Sequence, residues 1–287
     1  MKKCYLVTGA SGFLGSHIAE FLLRKKKKVV LLDIKKSKIF KKNNFFIGNI
    51  NNQKILNKAT KNVNSIFHFA ATADLNEANN NPFDSIENNV NGTLKLLQSA
   101  IKNKVKKIIF ASSVYAISEQ GGIYSTSKLA SEMIIENICK KYNIKFVILR
   151  FGTVYGGRAN KFNTVNNYIK LAKTKKKIFR ESQGKEVRSY IHIKDVVSLV
   201  FETTKRKYEN GYYNILGNKK YFVKDLLKII KLNIPDLKIT FSKVDKRKYN
   251  YKVNPFTYKL REGSSVKLRK YVSLENGIKS LINDYKP

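Results

Sequence analysis

The chain has no tryptophan and only two cysteines, two methionines, three histidines and four prolines in 287 residues. Cys4 and Cys139 are too few for the multi-bridge framework that staples small secreted domains, so a reducing compartment is expected. His17, His68 and His192 stand far apart with no metal-ligand spacing, and no metal site is expected. No apolar run approaches the roughly 20 residues of a membrane-spanning helix. The short apolar stretch after Met1-Lys2-Lys3 is broken by Thr8-Gly9-Ala10-Ser11-Gly12, which argues against a signal peptide. A soluble, cytoplasmic protein with no membrane partner is the expectation.

Acidic residues are scarce as well. Twenty Asp and Glu stand against 57 Lys and Arg, a formal net charge of +37. Such an excess can be the footprint of a nucleic-acid or anionic-surface ligand. Here the lysines are scattered through the chain rather than gathered in one arm. They accompany heavy use of Asn and Ile, even in loops such as 41–44 and 79–81. That pattern reads as compositional drift, and a nucleic-acid partner is not expected. A non-catalytic nucleotide- or RNA-binding module stays open as an alternative of another class. Under either reading a positive field speeds capture of an anionic substrate.

What the chain does have is alternation. Hydrophobic residues make up 43% of it, enough for a sizeable core. Strand patterns at Cys4–Val7, Val29–Leu32, Phe45–Ile47, Ser65–Phe69, Lys107–Ala111 and Phe146–Leu149 alternate with helical ones. The helical patterns are Phe13–Arg24, Asn89–Lys102 and Tyr124–Tyr142. Continuous apolar strands between helices predict an α/β fold, a Rossmann-type doubly wound parallel sheet. After about residue 150 the alternation weakens. Residues 1–150 are expected to form a dinucleotide-binding domain, with return elements near 188–205. Residues 151–287 are expected to form a smaller substrate-binding region, and Ile191–Val200 could rejoin the main sheet.

Gly9-Ala10-Ser11-Gly12-Phe13-Leu14-Gly15 lies between the first strand and the first helix. Glycines there allow a tight turn, close approach of the backbone to a pyrophosphate, and close packing of helix on strand. The helix N-terminus then offers free N–H groups to the phosphates. Asp33 ends the second strand, where a carboxylate accepts hydrogen bonds from ribose hydroxyls and repels a 2′-phosphate. NAD is therefore favoured over NADP, a preference that Lys35 and Lys36 weaken slightly.

Tyr124 and Lys128 are four residues apart, one turn of a helix. A nearby ammonium and a positive nicotinamide ring both favour the phenolate. Moving a phenol from about 10 to about 7 takes roughly 4 kcal/mol and would make it a general base. Tyr190 and Lys194 share the same spacing but sit in an apolar strand pattern. Tyr124 instead follows a strand that ends in Ala111-Ser112-Ser113, at the sheet edge where ligands bind.

Taken together these residues resemble the extended short-chain dehydrogenase/reductase family, in its NAD-dependent epimerase/dehydratase branch, of which UDP-glucose 4-epimerase is typical. The resemblance runs over most of the chain. It is carried by the segment 8–15, Gly48-Asn49-Ile50, His68-Phe69-Ala70-Ala71, Asn88 to Thr93, Phe110 to Tyr115 and Tyr124-x-x-x-Lys128. Leu149 to Gly156 and Arg188 to Asp195 continue it.

The resemblance implies NAD as cofactor, with Gly9, Gly12, Phe13, Leu14, Gly15 and Asp33 around it. Asn49 and Ile50 would flank the adenine, and Phe69, Ala70 and Ala71 would line the cofactor. Asn89 would support the site. Tyr124 would be the acid/base and Lys128 its partner on the nicotinamide ribose. Ser113, or Ser112 in the neighbouring register, would bond the reacting sugar hydroxyl. Arg188 and Arg261 would bind the diphosphate of a nucleotide-diphosphate sugar. A homodimer formed by the helices around 83–102 and 124–142 is also implied.

The chain departs from the family pattern at Asn49 (usually Asp), Ala116 (commonly Gly) and Thr153 (commonly Asn), and its segment between Ser113 and Tyr124 is short. Val114 and Tyr115 follow Ser113 where dehydratase-type relatives carry an acid. The expected reaction is epimerisation through transient oxidation of a sugar hydroxyl. A sugar-nucleotide dehydrogenase or reductase is the alternative.

Overall fold

The computed structural model describes residues 3–40, 44–118, 120–244 and 264–285. Its centre is an eight-stranded parallel sheet. From edge to edge the strands are Ser264–Ser265, Gly211–Ile215, Lys145–Phe151, Lys107–Ser113, Ser65–His68, Cys4–Thr8, Lys28–Asp33 and Asn44–Ile47. The period of two along each strand divides its side chains between two cores. Val7, Leu31, Phe67, Ile109 and Val147 pack against Ile18, Ala19 and Leu22 of helix Phe13–Arg24. Leu6, Leu32, Ile66, Ile108 and Phe146 pack on the opposite face. Their partners there are Leu56 of helix Gln53–Ala59, Leu96 and Leu97 of helix Gly92–Lys102, and Ile135 and Cys139 of helix Gly122–Lys141. Apolar side chains on both faces explain why these strands read as continuous runs rather than as alternations. The predicted fold class is the observed one.

Several helices end in basic residues: Arg24, Lys58, Lys102, Lys140 and Lys141. In a parallel α/β sheet these helix C-termini lie at the edge away from the strand C-termini. Cations there complement the negative end of each helix dipole. Part of the lysine surplus thus has a local electrostatic role.

The second half differs from expectation in one respect. Ile191–Val200 does not enter the main sheet. Val187–His192 pairs with Thr153–Tyr155 and Lys220–Phe222 in a separate three-stranded sheet. The chain then turns into helix Ile193–Glu202, which lays Val196, Leu199 and Val200 beside helix Phe13–Arg24. Its buried positions recur at three- and four-residue spacings, the helical period that an all-apolar reading obscures. Strand Gly211–Ile215 is the element that rejoins the sheet, beside Lys145–Phe151. A third core gathers Tyr155, Val165, Ile169, Leu226, Leu227 and Ile278 from helices Thr164–Lys175, Val223–Asn233 and Leu274–Asn283 and the strand before them.

The strand order reverses at Cys4–Thr8. The chain first runs outward to Asn44–Ile47 and then crosses back to Ser65–His68 on the other side. The C-terminal ends of these two strands diverge, and a crevice opens there, as it does at such reversals generally.

Candidate active site

A cleft of about 650 Å³ occupies this crevice, within the size range of small-ligand pockets. One wall is the glycine turn. Gly9 has φ +68°, and a Cβ on it would lie 2.7 Å from the Ala70 nitrogen. A Cβ on Gly15 would lie 2.1 Å from the Gly9 carbonyl oxygen, so the helix packs too closely on the turn for any side chain. A Cβ on Gly12 would meet only the Gly9 oxygen, at 3.2 Å, and its open side faces the cleft. Gly12 caps helix Phe13–Arg24 without a side-chain acceptor, and no acidic residue stands in the first turn. The N–H groups of that turn are therefore available to phosphate oxygens. Asp33 is held in place by two backbone donors: Ser11 N–H reaches Oδ2 at 3.0 Å and Lys35 N–H reaches Oδ1 at 3.1 Å. Each carboxylate oxygen retains capacity for a further donor such as a ribose hydroxyl. This cradle fits a dinucleotide.

At the other end stand Ser113, Tyr124 and Lys128. Strand Lys107–Ser113 delivers the serine at its last residue, and helix Gly122–Lys141 carries the other two one turn apart. The Ser113 hydroxyl lies near enough to the Tyr124 phenol to lower its pKa. The Ser112 hydroxyl is turned to the Glu132 carboxylate. Burial holds the Tyr124 phenol above its ordinary value, the nearby Ser113 hydroxyl lowers it, and the charge of Asp74 raises it. This direction is opposite to the one that the Tyr-x-x-x-Lys spacing suggests, because desolvating a phenolate outweighs the local donor. The Lys128 ammonium donates to the Ala111 carbonyl at 2.9 Å and lies 5.0 Å from the centre of the Phe110 ring. Burial pushes Lys128 down to about 8, while Glu132 raises it. The lysine remains a cation at neutral pH.

A buried network fixes this constellation. Asn89 lies in a π-helical turn, Glu87–Asn91, that opens into helix Gly92–Lys102. Its side chain accepts from Thr72 N–H at 2.7 Å and donates to the Thr72 carbonyl at 3.1 Å and to Ser127 Oγ at 2.9 Å. Ser127 in turn donates to the Tyr124 carbonyl at 2.9 Å. Asn89 therefore clips the loop after Ser65–His68 to the helix that bears the phenol.

The same network runs through His68. Thr93 Oγ1 donates to the Asn89 carbonyl, so at His68 Nε2, 3.0 Å away, it can only accept. His68 thus carries its proton on Nε2, and Nδ1 accepts from Thr8 Oγ1 at 2.9 Å. Burial, and secondarily Lys128, push His68 down to about 3. Between about pH 3 and 6.5 the native state then binds fewer protons at His68 than the unfolded chain does, so stability falls as pH is lowered through that window. The contribution is on the order of 4 kcal/mol. His68→Asn is expected to flatten the acid limb of unfolding free energy, measured by urea titration between pH 6.5 and 4. Superimposable acid limbs for variant and parent would remove His68 from this role.

Of the residues expected at the site, the cleft is lined by Gly9, Gly12, Phe13, Leu14, Gly15, Asp33, Asn49, Ile50, Phe69, Ala70, Ala71, Ser113, Tyr124 and Lys128. Asn89 lies behind it, buried. Arg188 is nearly buried in strand Val187–His192, where Nη1 donates to the Val187 carbonyl at 2.9 Å, and it is not part of this lining. Arg261 lies outside the described residues. Sequence reasoning missed Asp74, which also lines the cleft, and the buried Glu132–Arg150 pair beneath Ser112. A lone arginine in the apolar run Phe146–Phe151 was the available signal for that pair.

Fold and cleft together define a dinucleotide-binding α/β protein. The family model described as NAD dependent epimerase/dehydratase family matches residues 5–215. The chain belongs to that family, whose cofactor is NAD. It is 26% identical over 261 residues to a UDP-glucose 4-epimerase of Halalkalibacterium halodurans, with 78% of each chain covered. It is 28% identical over 284 residues to an Arabidopsis thaliana trifunctional UDP-glucose 4,6-dehydratase/UDP-4-keto-6-deoxy-D-glucose 3,5-epimerase/UDP-4-keto-L-rhamnose-reductase. That match covers 86% of this chain but only 42% of the plant protein's length. Among solved structures, UDP-glucose 4-epimerase with UDP-glucose from Thermotoga maritima superimposes with a TM-score of 0.84 at 24% identity. The match covers 98% of this chain and 97% of that one, and it speaks for the fold. The relatives include both epimerases and dehydratases.

Proposed function

We propose that the chain is a sugar-nucleotide epimerase in which Tyr124 is the acid/base. The observation that carries this reading is that Ser113, Tyr124 and Lys128 line one cleft together, with the Lys128 ammonium one helical turn behind the phenol. Ser113 orients the sugar hydroxyl, and Tyr124 removes its proton and later returns it. Lys128, anchored on the Ala111 carbonyl, supplies fixed positive charge and a donor for a ribose hydroxyl. Gly9, Gly12 and Gly15 with the first turn of helix Phe13–Arg24 hold the pyrophosphate of NAD, Asp33 holds its adenosine ribose, and Asn49 and Ile50 flank the adenine. Bound NAD supplies a reversible two-electron acceptor and, when oxidised, a positive ring charge that favours the phenolate.

Val114 and Tyr115 follow Ser113 and offer no acid at that position, which supports epimerisation over dehydration. Arg188 and Arg261 are the proposed contacts of the substrate diphosphate, and residues 151–287 the proposed substrate-binding region. Phe83, 88% exposed, and Met133 leave apolar surface on the two segments proposed to pair in a homodimer.

The test is incubation of the purified, NAD-loaded protein with UDP-, GDP- and dTDP-sugars, with products read by NMR. The expected result is interconversion of two epimers with no net change in NAD. Stoichiometric NADH would mark a dehydrogenase instead, and a keto-deoxy sugar would mark a dehydratase.

A further inference from the structure

We infer that Asp74 selects the sugar: its carboxylate receives a neutral hydroxyl or N–H donor of the substrate and turns away hexuronates. The inference rests on the sugar-nucleotide reading above. Asp74 follows the loop that leaves strand Ser65–His68 and caps the short helix Leu75–Asn80. A single oxygen, Oδ1, accepts both capping donors, Asn76 N–H at 3.0 Å and Glu77 N–H at 2.9 Å. Oδ2 has no protein donor among the described residues, and the half-buried side chain lines the cleft. Serine or asparagine would cap the helix equally well. The negative charge is therefore surplus to folding.

The charges around it point the same way. Among the described residues, the cleft is lined by three carboxylates, Asp33, Asp74 and Glu77, and one cation, Lys128. Asp33 belongs to the glycine-turn end, and Lys128 is anchored on the Ala111 carbonyl and, in the reading above, serves the cofactor ribose. Asp74 and Tyr124 line the same cleft, so Asp74 faces the space open to the reacting sugar. A sugar carboxylate at that place meets like charge and, among these residues, no arginine fork. Such a juxtaposition disfavours binding by about tenfold or more. A neutral hydroxyl there instead gains a charge-assisted hydrogen bond.

The experiment compares wild type with Asp74→Asn, which keeps the capping oxygen and removes the charge. Binding of UDP-glucose and UDP-glucuronate to the NAD-loaded proteins is measured by calorimetry, alongside kcat and KM where turnover occurs. The expected result is that wild type prefers UDP-glucose by about tenfold or more. In Asp74→Asn the preference shrinks by about the same factor, through weaker hexose and tighter hexuronate binding. The alkaline shift of the Tyr124 limb in the pH–rate profile is also expected to relax. An unchanged hexose-to-hexuronate ratio overturns the inference. Discrimination that depends on Asp74 without any turnover overturns the epimerase reading and leaves this one standing. Failure of wild type to bind either nucleotide overturns both.

Discussion

Tyr124→Phe is expected to lower kcat by about two to four orders of magnitude, the usual range for loss of a general acid/base. The substitution removes one oxygen from a half-buried ring that packs edge-on against Tyr115 at 6.3 Å. The apolar body of the side chain stays, so the helix and the cleft keep their shape. The Ser113 hydroxyl still accepts from Tyr115 N–H at 3.2 Å. The effect should thus fall on kcat, with KM and retention of NAD(H), read by its fluorescence, close to those of the parent. Because burial and Asp74 both hold the phenol up, the parent's rate should rise with pH on the alkaline side of neutrality. That limb should be absent from whatever residual rate Tyr124→Phe retains. Unchanged turnover would remove Tyr124 from the chemistry.

The second large effect is on stability. Arg150 and Glu132 are both fully buried, with Nη2 to Oε2 at 2.7 Å and Nε to Oε1 at 3.0 Å. Arg150 also lies 4.9 Å from the centre of the Tyr212 ring, and Ser112 donates to the same carboxylate. Arg150→Met leaves Glu132 buried without its cation, which costs about 3–5 kcal/mol. At about 2–4 °C per kcal/mol for a chain approaching this size, Tm should drop by roughly 10 °C. Replacing both partners by methionine removes the stranded charge as well, and much of the loss should return. A double-mutant cycle read by thermal unfolding checks this, and equal losses in the single and double variants would refute it. The pair also bears on the site. Glu132 raises Lys128, so Glu132→Gln should let the lysine lose its proton at lower pH.

Local pattern carried far in this chain. Helix Phe13–Arg24 and the glycine turn before it are where their spacing predicts, since the backbone alone demands Gly9 and Gly15. Strands of four to seven residues rich in Val, Ile and Phe were legible because burial on both faces leaves few polar positions in their middles. Local pattern gave less where composition was mixed. The short helices Gln53–Ala59 and Leu75–Asn80 carry too few apolar residues to show a period. The apolar run through Ile191–Val200 fitted strand as well as helix, and its packing on helix Phe13–Arg24 settled the matter.

The amino-acid sequence alone determined the doubly wound sheet, the phosphate cradle and the candidacy of Tyr124 with Lys128. These depend on near neighbours in the chain: hydrophobic period, glycine where a Cβ cannot fit, and side chains one helical turn apart. Tertiary structure alone decided which serine meets the phenol, how His68 is protonated, what pairs with Glu132, and that Asp74 enters the cleft. Those facts depend on groups 11 to 60 residues apart meeting in a dry interior. There desolvation and a single lone pair decide what contact order along the chain cannot.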